Sequence, residues 1–168
     1  TPPAVHRDYA LMAAAAGKRV FCEKPLTARL DDARRLVDEL AASASPNAVN
    51  FVFASAPGAD WLQSRLAAAD LGEIRSVEIR LFFARWPRDW QASADWLRLR
   101  EQGGFVREVL SHFVYLTQRL FGECRLDGAQ VSWPAQPERC EVAATATLSA
   151  AGIPVTVSAA ASSVACTG

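Results

Sequence analysis

Nothing in the sequence approaches the roughly 20 consecutive apolar residues that a membrane-spanning helix needs, and Thr1-Pro2-Pro3 has neither the charged nor the apolar stretch of a secretory leader. Net charge is missing as well, since 18 Lys plus Arg balance 18 Asp plus Glu. A balanced chain offers no basic footprint for nucleic acid and no acidic solvating tail. Histidine occurs only twice. The four cysteines, Cys22, Cys124, Cys140 and Cys166, form no CxxC or CxxH pair, so no metal site is expected. In the absence of secretion signals they read as buried or half-buried thiols in a reducing cytoplasm. What is present is globular: 51% hydrophobic and 21% charged residues rule out a disordered chain. The sequence opens on Thr1 rather than Met, on a proline-rich turn, and closes at Ser163 to Gly168 just after a strand-like stretch. Both ends are expected to be cuts.

The first third alternates helix and strand. An Ala-rich helix is expected over residues 5–16, with Gly17 at the position that ends helices in a left-handed conformation. A short strand, 18–22, leads into Glu23-Lys24-Pro25-Leu26, where Pro25 biases Lys24 to an extended conformation and so to a loop at the strand's carboxyl end. Leu30, Ala33, Val37 and Leu40 recur at helical spacing, with Asp31 and Asp32 in the first turn, and predict a helix over 30–42. The apolar run from Asn47 to Ala54 predicts a buried parallel strand. Short-looped alternation of this kind is the grammar of a doubly wound α/β sheet. No GxGxxG occurs anywhere, so the part that would cradle a pyrophosphate is missing.

After about Ser55 the pattern changes. A helix over 58–69 and a turn at Leu71-Gly72-Glu73 precede Val77, Ile79, Leu81 and Phe83, which alternate with polar residues as in a half-buried strand. A loop with Trp86, Trp90 and Trp96 follows, then a helix over 105–121 between Gly103-Gly104 and Gly122. Strands over 126–133, 141–149 and 153–161 complete the pattern, the last two joined at Ala150-Ala151-Gly152 as a hairpin. The fold class is therefore α/β plus α+β: a C-terminal part of a Rossmann-type domain, residues 1–54, followed by an incomplete, mostly antiparallel sheet domain with helices on one face, residues 55–168.

Two residues stand out for chemistry. Lys24 sits where ligands bind in open α/β sheets, outside the carboxyl end of a strand, and could donate to a substrate hydroxyl; a plain turn lysine is the competing account. His112 follows Glu108 by one helical turn, and a carboxylate beside an imidazole fixes its tautomer and raises its basicity, as a general base requires. The competing account is a helix turning a polar stripe of Glu108, His112, Tyr115 and Arg119 to water, with Val109, Phe113, Leu116 and Leu120 buried. His6 reads as a helix-surface residue. The tryptophans could line a sugar site or serve a core or an interface.

Taken together, three blocks resemble the Gfo/Idh/MocA family, the glucose–fructose oxidoreductase and inositol dehydrogenase relatives. They are Thr1-Pro2-Pro3 with His6 followed by Gly17-Lys18-Arg19-Val20-Phe21-Cys22-Glu23-Lys24-Pro25-Leu26, then Leu71-Gly72-Glu73-Ile74, then Gly103-Gly104-Phe105 through His112. The resemblance implies NAD or NADP as cofactor and a sugar, inositol or related cyclic alcohol as substrate. It implies that Lys24 and His112 meet at the substrate carbon, with Glu108 orienting substrate and histidine. Thr1, Pro2, His6, Glu23, Lys24 and Pro25 match positions lining the nicotinamide side, and the open sheet face implies a homo-oligomer. Glu108 stands where the family usually has Asp, Gln102 where a third glycine is common, Leu110 where a small residue is usual, and Tyr115 where a second aspartate often follows. Since the glycine fingerprint is absent, this chain alone is expected to bind the dinucleotide weakly and to be inactive. The alternatives within and beyond this reading are an NAD-dependent glycosidase of the same family, a non-catalytic sensor or partner-binding relative, and an inactive truncated product.

Overall fold

A computed structural model describes residues 1–162. The chain divides into two compact units, the first Thr1–Phe51 and the second starting at Val52.

In the first unit a 3-10 turn, Pro3–Val5, opens helix α1, His6–Ala15. Gly17, at φ +67°, stops it: the Lys18 N–H donates to the Ala13 carbonyl at 2.9 Å and the Gly17 N–H to Ala14 at 2.9 Å, so the last turn's carbonyls are satisfied. Strand β1, Val20–Glu23, pairs in parallel with β2, Asn47–Asn50, across helix α2, Leu30–Ala42. The core is small. Leu36 and Leu40 from α2 and Ala10 from α1 are buried, with Leu11, Ala14, Val20 and Leu26 around them. Arg7 adds a paired contact from α1 to Glu39 of α2, at 2.7 and 3.0 Å.

The expected strand 47–54 ends at Asn50 and gives way to a 3-10 turn, Val52–Ala54. The reason is its partner, since the last paired residues are Glu23 and Asn50. Beyond that point no ladder remains to hold Phe51 extended, and its N–H turns back to the Val49 carbonyl. Nor is β2 buried: only its last two residues are even half-buried, because a two-stranded sheet leaves its strands uncovered.

The second unit begins with helix α3, Pro57–Ala67, and runs into strand β3, Val77–Phe83. Three later strands, β4 (Cys124–Ser132), β5 (Ala143–Ala150) and β6 (Ile153–Ala161), complete a four-stranded sheet in the order β3-β6-β5-β4. β4, β5 and β6 are antiparallel neighbours, while β3 joins parallel to β6, Val77 opposite Val155. The β5–β6 hairpin closes through two residues, Ala151 at φ 48° and Gly152 at φ 84°, between the paired Ala150 and Ile153. Two positive φ values suit the right-handed twist of the flanking strands.

The helix expected over 105–121 is present, but its first turn is wound as π-helix, Val106–Leu110, before α4, Ser111–Phe121. The Ser111 N–H reaches back five residues to the Val106 carbonyl. Leu110, with Val106, Phe113, Val114 and Phe121, packs against Ile79, Val155 and Val157 of the sheet. The buried side therefore differs from the stripe of Val109, Phe113, Leu116 and Leu120. Thr117 is buried as well, and its hydroxyl donates to the Phe113 carbonyl at 2.8 Å, which offsets the cost of burying it. No helix among the described residues is long and apolar enough to cross a membrane.

Candidate functional site

In the first unit the ring of His6 organises the loop after β1. The expectation of a helix-surface histidine fails: His6 is only 5% exposed. Its Nδ1 lies 2.9 Å from the Pro25 carbonyl and its Nε2 3.1 Å from the Thr1 carbonyl. A neutral imidazole carries one N–H, so it donates to one of these carbonyls at a time. Either way the ring is committed to backbone, lying between the Thr1 carbonyl and the Glu23-Lys24-Pro25 loop. Lys24 in that loop is buried, 9% exposed, and its peptide bond to Pro25 is cis. Glu23, on the exposed end of β1, accepts from the Asn50 amide at 2.8 Å, joining the carboxyl ends of the two parallel strands. A shallow depression bounded by Thr1, His6, Tyr9, Ala10, Phe21 and Glu23 lies beside β1. Pro2 precedes the 3-10 turn in an extended conformation.

In the second unit Glu108 falls in the π turn and His112 in the first turn of α4, both half-buried. The Phe53 ring meets His112 edge-on at 6.2 Å and Phe113 at 5.3 Å. Phe53 is held in turn by Arg119, whose guanidinium donates to the Phe53 and Ala54 carbonyls at 2.5 and 2.9 Å and pairs with Asp60 at 2.5 Å. Arg119, expected on a solvent-facing polar stripe, thus fastens the start of the unit to α4. The sequence pattern pointed to Glu108 and His112 but not to these two supports, which are 66 residues apart.

The tryptophans separate in role. Trp86 donates its indole N–H to the Leu97 carbonyl at 3.0 Å and stacks edge-on against Phe83 and Phe105, a core role. Trp90 is 74% exposed, with the Arg88 guanidinium 4.7 Å from its ring centre.

The two glycines ahead of the helix are fixed by what surrounds them. A Cβ on Gly103 would fall on the backbone of Leu97, and one on Gly104, at φ +94°, would fall on the Glu141 carboxylate, both well inside 3.0 Å. Glu141 is 6% exposed, and one of its oxygens accepts from the Val106 N–H at 2.7 Å. Sequence reasoning missed it. The available signal was a lone carboxylate between Cys140 and Val142, just ahead of β5. Its neighbour Cys140 is buried, and burial together with the Glu141 charge pushes its thiol up to about 11. Cys22, Cys124 and Cys140 are free thiols, and Cys166 lies outside the described residues.

The family match falls within the first unit, whereas the other matches run across both. Residues 1–51 match the model of an oxidoreductase family with an NAD-binding Rossmann fold, GFO_IDH_MocA. Over 131 residues the chain is 32% identical to a dTDP-3,4-didehydro-2,6-dideoxy-alpha-D-glucose 3-reductase of Streptomyces violaceoruber, covering 76% of this chain and 36% of that protein. The fold matches the WlbA dehydrogenase of Bordetella pertussis, solved with NADH and UDP-GlcNAcA, at a TM-score of 0.80 and 24% identity, over 95% of this chain and 50% of that one. It also matches KijD10, a 3-ketoreductase of Actinomadura kijaniata solved with NADP and TDP-benzene, at a TM-score of 0.79 and 22% identity, over 95% of this chain and 48% of that one. The chain thus spans about a third of the curated relative and half of each solved structure.

Proposed function

Because this chain belongs to the Gfo/Idh/MocA oxidoreductase family, we propose that its protein interconverts a ring alcohol and ketone on a sugar or cyclic polyol, with NAD(H) or NADP(H). The observation that carries the reading is the burial of Lys24 in a loop at the carboxyl end of a parallel strand. Lysine is almost never buried unless it is paired, and that end of an open α/β sheet is where ligands bind. When bound, the nicotinamide supplies or takes up the hydride. The residues present suit its ring side: the depression beside Thr1, His6 and Glu23 adjoins the Lys24 loop, while the glycine-rich cradle for the pyrophosphate is not in this sequence.

In this reading His112 takes the proton of the substrate hydroxyl, or returns it to the alkoxide in the reverse direction. Glu108 favours the protonated imidazole that forms, through its charge. Lys24 donates to the substrate oxygen and stabilises its developing negative charge. Thr1, Pro2, Glu23 and Pro25 shape the nicotinamide side, and His6 lies between the Thr1 and Pro25 carbonyls. Nucleotide-linked hexoses and free inositols are both substrates of this class to test, and a second copy docked on the open sheet face completes the proposal.

The test is turnover, followed by nicotinamide absorbance, of this sequence joined to a dinucleotide-binding N-terminal segment. Nucleotide-linked sugars and free inositols form the substrate panel. Lys24→Ala and His112→Ala should each lower kcat on the order of 10²–10⁴-fold. This chain alone should bind NADH too weakly to register in a fluorescence titration. Unimpaired variants, or no turnover with any ring alcohol or ketone, would refute the assignment.

A further inference from the structure

The segment bearing Glu108 and His112 starts at Phe105, whose side chain makes no capping bond. Its acceptor comes from 35 residues further along: the Glu141 carboxylate takes the Val106 N–H at 2.7 Å. A carboxylate this deeply buried needs charge-assisted bonds and a favourable field, and the amino end of a helix offers both. Gly104 leaves the space it occupies. Around this tie the connection between β4 and β5 is laced to the loop before the helix. The Cys140 N–H donates to the Arg98 carbonyl at 2.8 Å, the Arg100 N–H donates to the Glu138 carbonyl at 2.8 Å, and the Arg100 guanidinium lies 3.9 Å from the centre of the Trp133 ring. Phe105, fully buried with Ala144 and Ala159, anchors the same turn to the sheet.

We infer that Glu141 is a positioning residue for the Glu108–His112 pair. Its carboxylate fixes one end of the π turn through the Val106 amide while Leu110, Phe113 and Val114 fix the other against the sheet. The helix can then neither slide nor rotate, and the imidazole is presented in a single register. This rests on the oxidoreductase reading for its consequence in catalysis, but the tie itself does not.

The test has two arms. In this chain, Glu141→Ala should raise amide hydrogen exchange across residues 105–112 by at least about 10-fold, leaving the β5–β6 hairpin within about twofold. Glu141→Gln keeps a carbonyl acceptor and should restore most of the protection, whereas Glu141→Asp, one methylene short, should not. If the alanine variant loses hairpin protection as well, the Gln and Asp pair decides. In the sequence joined to a dinucleotide-binding segment, Glu141→Ala should lower kcat on the order of 10-fold with cofactor KM unchanged. It should also move the pH profile of kcat, and Gln should rescue both effects. Exchange over 105–112 that is the same with and without the carboxylate overturns the inference, and so does an unchanged kcat and pH profile in an active protein. A wild-type protein that turns over no ring alcohol counts against the oxidoreductase reading alone, because the exchange arm still reports the tie.

Discussion

Substituting Gly104 by alanine tests the crowding at the helix head, and Gly122 supplies the control. Both have nearly the same φ, +94° and +95°. Around Gly122 a new Cβ meets nothing within 4 Å, whereas at Gly104 it lands on the Glu141 carboxylate. Holding a non-glycine residue in this region costs about 1–3 kcal/mol, and both variants bear that cost. Gly104→Ala must in addition displace the buried carboxylate from the Val106 N–H, and a lost hydrogen bond to a charged group costs about 1.5–3 kcal/mol. The expected excess of Gly104→Ala over Gly122→Ala is therefore about 2 kcal/mol, more than a tenfold change in the folding equilibrium. All five tryptophans lie beyond residue 60, so urea unfolding followed by tryptophan fluorescence reports the second unit without interference from the first. Equal midpoints and slopes for the two variants would show that the carboxylate is not held where Gly104 permits it.

Other consequences are as direct. Cys140, with its thiol pushed up to about 11 by burial and by Glu141, should be the slowest of Cys22, Cys124 and Cys140 to alkylate in the folded chain at pH 8; labelling it as fast as Cys22 would contradict its burial. Its raised value also makes stability pH-dependent: the contribution is whole below the unfolded thiol's value of about 8.5 and is lost as pH rises towards about 11. Replacing Cys140 by alanine should flatten denaturation midpoints over that window. Arg119→Ala frees the Phe53 and Ala54 carbonyls and Asp60 together, and should cost about 1–3 kcal/mol, measured by urea unfolding, with a loss below 0.5 kcal/mol arguing that water replaces it. Ala151→Asn puts a residue that tolerates positive φ at 48° and should raise stability by about 0.5–1 kcal/mol, visible as a higher midpoint.

Local rules were readable wherever partners were local. Helix α2 has the bounds that the spacing of Leu30, Ala33, Val37 and Leu40 predicts, and β6 likewise runs from Ile153 to Ala161. Gly17 ends α1 as its chemistry requires. What escaped the sequence depends on distant or backbone partners. His6 is buried because carbonyls of Thr1 and Pro25 receive it, and carbonyls have no side-chain signature. The run through Phe51, Val52 and Phe53 reads as strand, but β1 is too short to pair with it. Residues at helical spacing look alike in α and π turns, so the π turn at Val106 was invisible, and Thr117 hid the buried face by looking polar. Lys24, Glu108 and His112 stand out by pattern as candidates. Glu141, which reaches Val106 from the connection between β4 and β5, does not.

The parallel pairing of β3 with β6 sets the order in which the second unit can close. Val77 waits for Val155, 78 positions later (155 − 77), and every contact between the two strands shares that separation. The β5–β6 hairpin, joined by two residues, can form at once, but among the described residues β3 has no neighbour until β6 emerges. Closing so long a loop is slow compared with hairpin formation. During that interval Ile79, Leu81 and the outward Phe82 lie on an unpaired strand, so β3 is the segment through which a nascent chain would most readily self-associate.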